Sequence, residues 1–359
     1  MNLVEVQKKN TSQIFNGIPA HQGYYFPAEW VAHEATWLSW PHNPHTWPGN
    51  FKNMWHAYLE FIRILSLSEK VHINIKSHKM AHKAHNMIKA HGAQLDQIIF
   101  YQNPTNDAWC RDHGPAFLTH PDPSIPKIIV DWEYNAWGNK YPPYDCDNNI
   151  PSQIASQLGL AVSKPGIVME GGSVDFNGNG VLITSESCLL HPNRNPTYTK
   201  TQIEDILKNF YGVTEILWVK SGIVGDDTDG HIDDTVRFVD ESSVITMVEK
   251  DSSDQNYKPL KLNRNILSEV LVGGRPLSVI EIDMPEPIYF DGQRLPASYA
   301  NFYISNEHVI VPIFKSKNDD QALSILRDCF PTRRVIGIDS QELIVGLGSF
   351  HCLSQQQPV

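Results

Sequence analysis

Four short polar segments carry the residues of this sequence that are best suited to chemistry. Each is flanked by apolar residues or by turn-forming glycine and proline, and together they supply a thiol, an imidazole and several carboxylates. They span residues 106–115, 169–173, 225–235 and 346–352. Binding sites commonly lie on such connections between the elements of a rigid scaffold, so we expect these segments to meet in one site.

Cys352 is the candidate nucleophile. It follows a strand-like run at 342–345 and a Gly-x-Gly turn at 346–348, where glycine permits a positive φ and a close backbone approach. The residues after it, up to 358, are polar and predict a tail outside the core. A free cysteine is most often a small buried apolar residue, so Cys352 alone does not indicate catalysis. A reactive thiol also needs a lowered pKa or a neighbouring base.

His231 is the best candidate for that base. In an extended strand, His231 and Asp233 would point to the same face. Five aspartates surround His231 between positions 226 and 234, and so many carboxylates are costly to bury, which predicts that this histidine is not a core residue. A calcium loop is the competing interpretation, but the spacing does not match an EF-hand and no glutamate stands at its twelfth position.

The carboxylates point to a cationic substrate. Asp112 lies in a turn ended by Gly114 and Pro115, where by itself it is equally suited to a salt bridge or a helix cap. A guanidinium group is planar, permanently charged and matched to carboxylates. Asp112 and Asp233 could therefore hold its nitrogens and direct its carbon toward the thiolate. Because carboxylates raise a thiol pKa, the cationic substrate and His231 must offset that effect.

The elements that position these residues alternate between strands and helices, which is typical of an α/β protein. Predicted strands lie at 71–75, 97–101, 127–131, 181–184, 215–219, 243–248, 278–282, 308–312 and 334–338. Predicted helices lie at 51–66, 78–91, 150–158, 200–211, 263–272 and 319–329. No linker or low-complexity stretch divides the chain. We predict an N-terminal arm of residues 1–22 and a single domain of residues 23–359.

Composition excludes several classes of protein. The 359 residues are 41% hydrophobic and carry a net charge of −11, which argues against nucleic-acid binding and weakly favours cationic ligands. The five cysteines are widely spaced without a CxxC pair, so neither a zinc site nor a redox dithiol is predicted. The sequence shows no secretory signal and no long apolar run, so we expect no membrane association and a cytoplasmic location with reduced thiols.

Five ordered blocks resemble those of the agmatine deiminases, which belong to the guanidino-group-modifying pentein superfamily and to the Porphyromonas-type peptidyl-arginine deiminases. The blocks are FPAEWVAHEATWLSWP at 26–41, NDAWCRDHGP at 106–115, EGGS at 170–173, DGHID at 229–233 and HCLSQQQP at 351–358. The resemblance covers nearly the whole chain. It implies a five-bladed α/β propeller of ββαβ modules, no metal, no organic cofactor and a homodimer.

The resemblance also implies roles for particular residues. The catalytic set would be Cys352 as nucleophile, His231 as general acid and base, and Asp112 and Asp233 as guanidinium ligands. The substrate-binding set would be Trp109, Glu170, Gly348 and Asp227.

In the implied reaction, Cys352 displaces ammonia from agmatine and forms a covalent thiouronium intermediate. Water then releases N-carbamoylputrescine, a step toward putrescine. Leu347 and Phe350 stand where more glycine is expected, and they either narrow the pocket or pack behind it.

Two alternatives stay open. One is a deiminase acting on free arginine or on arginine in peptides. The other is a non-catalytic or cation-binding α/β protein, in which Cys352 is structural and the aspartates at 226–234 hold a cation.

Overall fold

The protein, seen in a computed structural model that describes residues 2–4 and 13–359, repeats one small module. Four three-stranded sheets follow one another along the chain. Their strands are Ala116–Leu118, Ile128–Val130 and Ala161–Ser163 (blade II); Val174–Phe176, Val181–Ser185 and Glu215–Val219 (blade III); Val236–Asp240, Ser243–Val248 and Ser278–Asp283 (blade IV); and Tyr303–Ile304, His308–Ile313 and Arg334–Asp339 (blade V). In each blade the first two strands pair antiparallel and the last two pair parallel.

The fifth sheet, blade I, joins the two ends of the chain. Its strands, in spatial order, are Asn2–Val4, Ile98–Tyr101, Lys70–Asn74, His33–Ser39 and Ser354–Pro358. The C-terminal strand pairs antiparallel with His33–Ser39, which pairs parallel with Lys70–Asn74. Blade I therefore has the same ββαβ order as the others once its first strand is taken from the chain end. The fold is the five-bladed α/β propeller that the family resemblance implies.

Helices cover the parallel crossovers of the blades. The longer ones are Trp55–Leu65, His78–Ala90, Ile150–Leu158, Lys200–Tyr211, Tyr257–Ser268 and Asp319–Cys329. Short α-helical turns lie at Ala136–Asn139, Asp145–Asn148 and Glu186–Leu189, and 3-10 turns at Pro19–Gln22, Leu95–Gln97 and Ile344–Gly346. Two hairpins, Leu271–Val272 with Arg275–Pro276 and Tyr289–Phe290 with Gln293–Arg294, add to the rim.

Local sequence explains where such a helix begins and which face it buries. The Lys200–Tyr211 helix starts at a reciprocal capping box, in which Thr199 and Gln202 each satisfy the other's backbone N–H. Ile203 and Leu207 are four residues apart, so they lie on one face and are buried.

Five further helical turns position the site, because one precedes the first strand of every blade. They are Cys110–His113, Gly171–Ser173, Ile232–Asp234, Tyr299–Asn301 and Phe350–Leu353. Each turn contacts the next, and the last contacts the first, so the five form a closed ring. The polar segments identified in the sequence meet at this ring.

The polar tail is a correction to the sequence interpretation, which placed it outside the core. Residues 354–358 form a fully buried strand. The Gln357 side chain accepts a hydrogen bond from the Trp37 indole at 2.8 Å, and Gln356 accepts one from Arg111 at 2.7 Å. Polar side chains are buried here because each has a specific partner.

Two predicted elements are also wrong. Residues 342–345 are not a strand, because the chain turns into the 3-10 helix Ile344–Gly346. The helix predicted at 263–272 lies at Tyr257–Ser268 and starts earlier, with Pro259 in its first turn, where a missing N–H costs little. The seven-residue strand His33–Ser39 was missed, as were Ala161–Ser163 and the first strands of blades II to V.

At the N-terminal side, Asn2–Val4 pairs with Ile98–Tyr101, and Ile14 forms an isolated bridge with Val162. The division between an arm of residues 1–22 and a catalytic domain of residues 23–359 stays a prediction. Within the described part of the chain, no helix combines the length and apolar character needed to cross a bilayer.

The buried tail generates a prediction about stability. In Gln357→Leu the buried Trp37 N–H loses its acceptor, which should cost about 1–3 kcal/mol of unfolding free energy. Urea denaturation measures the loss. Trp37→Phe removes the same donor, so the double variant should lose less than the sum of the two single losses. Strictly additive losses would contradict this hydrogen bond.

Candidate active site

A cavity of about 1030 Å³ opens beside the ring of turns. Asp112 and Cys352 line it, together with the segment 346–348. Its apolar wall is formed by Trp109, Tyr134, Ala136, Trp137, Leu295, Val345 and Leu347. A reactive group at the base of a mostly apolar cleft is the usual form of a small-molecule site.

Cys352 lies in the turn before the last strand and is only 6% exposed. Asn301 donates a hydrogen bond from its amide nitrogen to the Cys352 Sγ at 3.0 Å, while the Cys352 N–H donates to the Asn301 Oδ1 at 3.3 Å. Asp233 Oδ2 lies 3.5 Å from Sγ. Burial, followed by the charges of Asp233 and Asp234, raises the pKa of the Cys352 thiol well above its usual value. Ionisation of the thiol therefore requires nearby positive charge.

His231 supplies an imidazole that is fully buried behind the cavity wall. Its Nδ1 lies 3.7 Å from Asp112 Oδ1, and its Nε2 lies 3.8 Å from Glu170 Oε2. Burial by itself would lower the pKa of His231, but Asp112, Cys188 and Glu170 raise it well above the usual value. The surrounding acidic groups therefore favour the protonated form of this imidazole, which suits it to donate a proton.

The environment of His231 corrects two sequence expectations. The histidine is a core residue, because Arg194 and other buried partners compensate the carboxylates around it. The segment is also not an extended strand, since Ile232–Asp234 is a 3-10 turn. His231 and Asp233 nevertheless face the same point, because both reach toward Gly172.

Asp112 and Asp233 are buried carboxylates, the first 3.7 Å from the His231 ring and the second 3.5 Å from the Cys352 thiol. Asp112 accepts hydrogen bonds from the Trp137 indole at 3.0 Å and from the Gly172 N–H at 2.9 Å. Burial nevertheless raises the pKa of Asp112 to about 6. Burial also disfavours the charge of Asp233, but its hydrogen bond with His351 lowers its pKa below the usual value. Asp233 Oδ1 has no hydrogen-bond partner among the described residues.

Gly172 shows how tightly these groups converge. A Cβ atom at position 172 would lie 2.5 Å from His231 Nδ1, 2.9 Å from Asp112 Oδ1 and 3.1 Å from Asp233 Oδ2. Any larger residue would displace at least one of the three. The Glu-Gly-Gly sequence is thus explained by the space that the imidazole and the carboxylates need.

Glu170 lies behind the imidazole and does not line the cavity. Its Oε1 accepts a hydrogen bond from Arg194 at 2.6 Å. Glu170, Cys188 and His231 bring potential metal ligands within 4.8 Å of one another. The Arg194 guanidinium already compensates the carboxylate, which makes this cluster a poor site for a divalent cation.

The turn before Cys352 uses its glycines differently from the sequence expectation. The residue with a positive φ is Leu347, at +70°, whereas Gly348 provides close packing, since a Cβ there would lie 2.6 Å from Trp109. Leu347 lines the cavity, while Phe350 packs behind it with its ring centroid 4.9 Å from that of Phe61. Of the two residues that stand where glycine is expected, Leu347 therefore narrows the cavity and Phe350 packs in the core behind it.

Two aspartates of the 226–234 cluster lie beside protein cations, Asp229 closely and Asp227 more loosely. Asp229 pairs with Lys140 at 2.8 Å and with Arg194 at 2.6 Å. Asp227 lines the cavity, lies 3.4 Å from Lys140 Nζ and accepts a hydrogen bond from the Tyr141 hydroxyl. These pairs weigh against the cation-loop interpretation, because an acidic ion-binding loop would keep its carboxylates free.

Sequence reasoning missed several residues that support this site. They are Glu29, Trp137, Arg194, Asn301 and His351. Glu29 and His351 lie in the family-like blocks at 26–41 and 351–358, but the neighbouring residues did not mark either one as part of a site. Asn301 and Arg194 had no signal, because their partners are remote in sequence.

The propeller and the site together define a pentein, in which a thiol, an imidazole and carboxylates surround the axis. Comparison with known proteins then identifies the family. The chain belongs to the Porphyromonas-type peptidyl-arginine deiminase family, whose sequence model matches residues 25–358.

Individual relatives match over nearly their full length. A Legionella pneumophila protein named "Putative agmatine deiminase" is 34% identical over 346 residues, covering 96% of this chain and 97% of that protein. The structure of agmatine deiminase from Enterococcus faecalis is 28% identical, with a TM-score of 0.89 and coverage of 97% and 99%. A substrate-bound cysteine-to-serine variant of agmatine deiminase from C. jejuni is 31% identical, with a TM-score of 0.85 and coverage of 96% and 98%.

The geometry predicts selective labelling of Cys352 by a cationic amidine. We expect 2-chloroacetamidine to alkylate Cys352 on the order of 100-fold faster than neutral 2-chloroacetamide does, because Asp112 and Asp233 bind the amidinium. Peptide mass spectrometry gives both rates. Cys146, which is half-buried and outside the cavity, normalises the intrinsic reactivity of the two reagents. The same reagent preference at both cysteines would contradict the binding role, and Asp112→Asn should reduce the preference at Cys352.

Proposed function

We propose that this chain is an agmatine deiminase, which hydrolyses agmatine to N-carbamoylputrescine and ammonia. One observation carries the substrate assignment. The aspartates that line the cavity with Cys352 are Asp107, Asp112, Asp147, Asp227 and Asp291, and no lysine or arginine is among the lining residues of the described chain. Agmatine carries positive charge at both ends and no carboxylate, so this charge pattern favours it. The names of the relatives support the same reaction.

In the proposed first step, Asp112 and Asp233 hold the guanidinium so that its carbon faces Cys352. The bound cation lowers the thiol pKa, and the thiolate forms a C–S bond with that carbon. His231, already protonated, gives its proton to the departing nitrogen as the C–N bond breaks. Ammonia leaves, and a thiouronium remains on Cys352.

In the second step, His231 is neutral and acts as a base. It takes a proton from water as the hydroxyl adds to the thiouronium carbon. As the C–S bond breaks, the C=O bond forms and the hydroxyl proton passes to solvent, which releases the ureido product and restores the thiolate. Throughout both steps the carboxylates stabilise positive charge without changing protonation.

The remaining residues would set orientation and specificity. Glu170 holds His231 from behind, and Trp109 together with Gly348 forms the wall beside the thiol. Asp227 presents negative charge to the distal ammonium of agmatine.

One observation favours a second candidate substrate, an arginyl peptide. The cavity of about 1030 Å³ is at the upper end of the range for small-molecule sites. A backbone amide on each side of the arginine would remove the free α-carboxylate that the acidic lining disfavours.

We also propose a cytoplasmic enzyme of putrescine biosynthesis that acts as a homodimer. The five cysteines are all unpaired, which suits a reducing compartment. The dimer and the metabolic role rest on the family resemblance.

Substrate preference is the decisive test. We expect kcat/KM for agmatine to exceed that for free arginine by on the order of 100-fold, because the arginine carboxylate would face like charge without a cationic partner. Colorimetric detection of ureido product, with an arginyl peptide as third substrate, measures the order. Asp227→Asn should reduce the ratio of kcat/KM for agmatine to that for arginine. Cys352→Ser should be inactive with all three substrates. Equal rates with agmatine and arginine would refute the assignment.

The pKa of Asp112 predicts the acid limb of the pH profile. Protonated Asp112 cannot bind a cation, so kcat/KM should fall as the pH drops below about 6. At saturating agmatine the guanidinium stabilises the carboxylate, so the corresponding fall in kcat should occur at lower pH. Initial rates across pH, with thermal stability checked at each value, test this. An acid limb at the same pH in kcat and kcat/KM would contradict a role for Asp112 in binding.

A further inference from the structure

His351, the residue before the candidate nucleophile, bridges two buried carboxylates. Its Nδ1 lies 2.7 Å from Asp233 Oδ2, and its Nε2 lies 2.9 Å from Glu29 Oε2. The side-chain exposures of the three residues are 2%, 0% and 4%. Neither the sequence blocks nor the relatives assign this imidazole a role.

The partners of His351 determine its protonation state. Glu29 also pairs with Arg111 at 3.0 Å and Arg237 at 3.1 Å, and accepts the Ile304 N–H at 2.8 Å. Burial would raise the pKa of Glu29, but Arg237, His351 and Arg111 hold it well below its usual range. Glu29 is therefore ionised and offers only acceptors to the ring.

A donor count follows from these contacts. A neutral imidazole has a single N–H and could donate to only one of its two carboxylate neighbours. The other ring nitrogen would then place a lone pair against a carboxylate oxygen at less than 3 Å. An imidazolium donates to both, so the geometry requires the charged form of His351.

The position of this charge links it to the thiol. Asp233 Oδ2, which accepts from His351, is the oxygen 3.5 Å from Cys352 Sγ. Asp233 Oδ1 has no partner among the described residues and stays available to a substrate N–H. We infer that His351 is a cationic positioning residue, which fixes the orientation of Asp233 and supplies the charge that allows Cys352 to ionise. The inference rests on the proposed function.

Other charged groups face Asp233 and Cys352 from the neighbouring turns and strands. They are Asp112, His231, Asp234 and Arg237. Arg237 Nη1 is engaged by the Ala300 and Phe302 carbonyls, and its remaining contacts are with Glu29 and Asp175. Removing His351 therefore leaves Asp233 with no cation in direct hydrogen-bond contact on the thiol side.

Two substitutions separate the contacts of the ring. In His351→Asn the amide nitrogen can replace Nδ1 and still donate to Asp233. In His351→Gln the longer amide can replace Nε2 and reach Glu29 instead. Both variants lose the positive charge. The matched control is His72→Gln, since His72 is also buried and its ring packs on Trp37 and Tyr101 away from the site.

We expect both His351 variants to lower kcat with agmatine on the order of 100-fold, because each loses a charge-assisted hydrogen bond. His351→Gln should also raise KM several-fold, whereas His351→Asn should keep KM near the parent value. The rate of Cys352 alkylation by neutral iodoacetamide, followed across pH, should shift upward by about one pH unit in both variants. His72→Gln should change neither kcat nor the alkylation profile.

A purely structural role would give lowered thermal stability with parent kcat and an unshifted alkylation profile, and that result would overturn the inference. If neither variant folds, nitrogen-15 NMR of the histidine-labelled parent decides the question. Both ring nitrogens of His351, assigned through the His351–Cys352 pair, should carry a proton, because each lies within 3 Å of a carboxylate oxygen. One unprotonated nitrogen would refute the imidazolium. The alkylation and NMR readouts need no agmatine turnover, so they separate this inference from the proposed function.

Discussion

The buried carboxylate of Glu29 holds the centre of this propeller together. It receives Arg111 from the turn of blade II, Arg237 from the first strand of blade IV, the Ile304 N–H of blade V, and His351 from the turn that opens blade I. Blade III joins through Asp175, which lies 3.2 Å from Arg237. Every blade therefore contributes a charge or a dipole to one cluster. Loss of Glu29 would leave Arg111 and Arg237 buried without this carboxylate partner, which is costly.

The Glu29 cluster is linked through His351 to the carboxylates of the candidate site. In the proposed mechanism Asp112 and Asp233 stay close to bind a cation, yet in an apolar interior they repel one another and raise the pKa of the Cys352 thiol. Arg194 compensates Glu170, and His351 compensates Asp233. Asp112 accepts hydrogen bonds only from neutral donors and has a raised pKa, which supports the proposal that the substrate's own charge completes the balance there.

The sequence was sufficient to find the thiol, the imidazole and the two nearest carboxylates, because each stands in a polar turn beside glycine or proline. It also predicted the α/β alternation, most of the longer helices and the second and third strands of blades III to V. It could not predict the contacts of His351 and Glu29. His351 lies 118 positions from Asp233 in the sequence, and its role depends on that contact. The buried glutamines of the last strand were missed for a related reason. Polarity predicts exposure only when no partner exists, and Trp37 and Arg111 are such partners.

The repeated module explains why each polar sequence segment alone was weak evidence for a site, whereas the segments together were specific. Each ββαβ unit brings one short turn to the axis, and four of the five turns supply a polar group of the candidate site: Asp112, Asp233, Asn301 and Cys352. The remaining turn supplies Gly172, whose missing side chain leaves the room in which His231 and the two carboxylates meet. No single turn holds a nucleophile, a base and a cation-binding pair, so none is catalytic alone. Closure of the ring by the C-terminal strand places Cys352 against Asp233, and the stability of that buried polar strand is therefore a condition of activity.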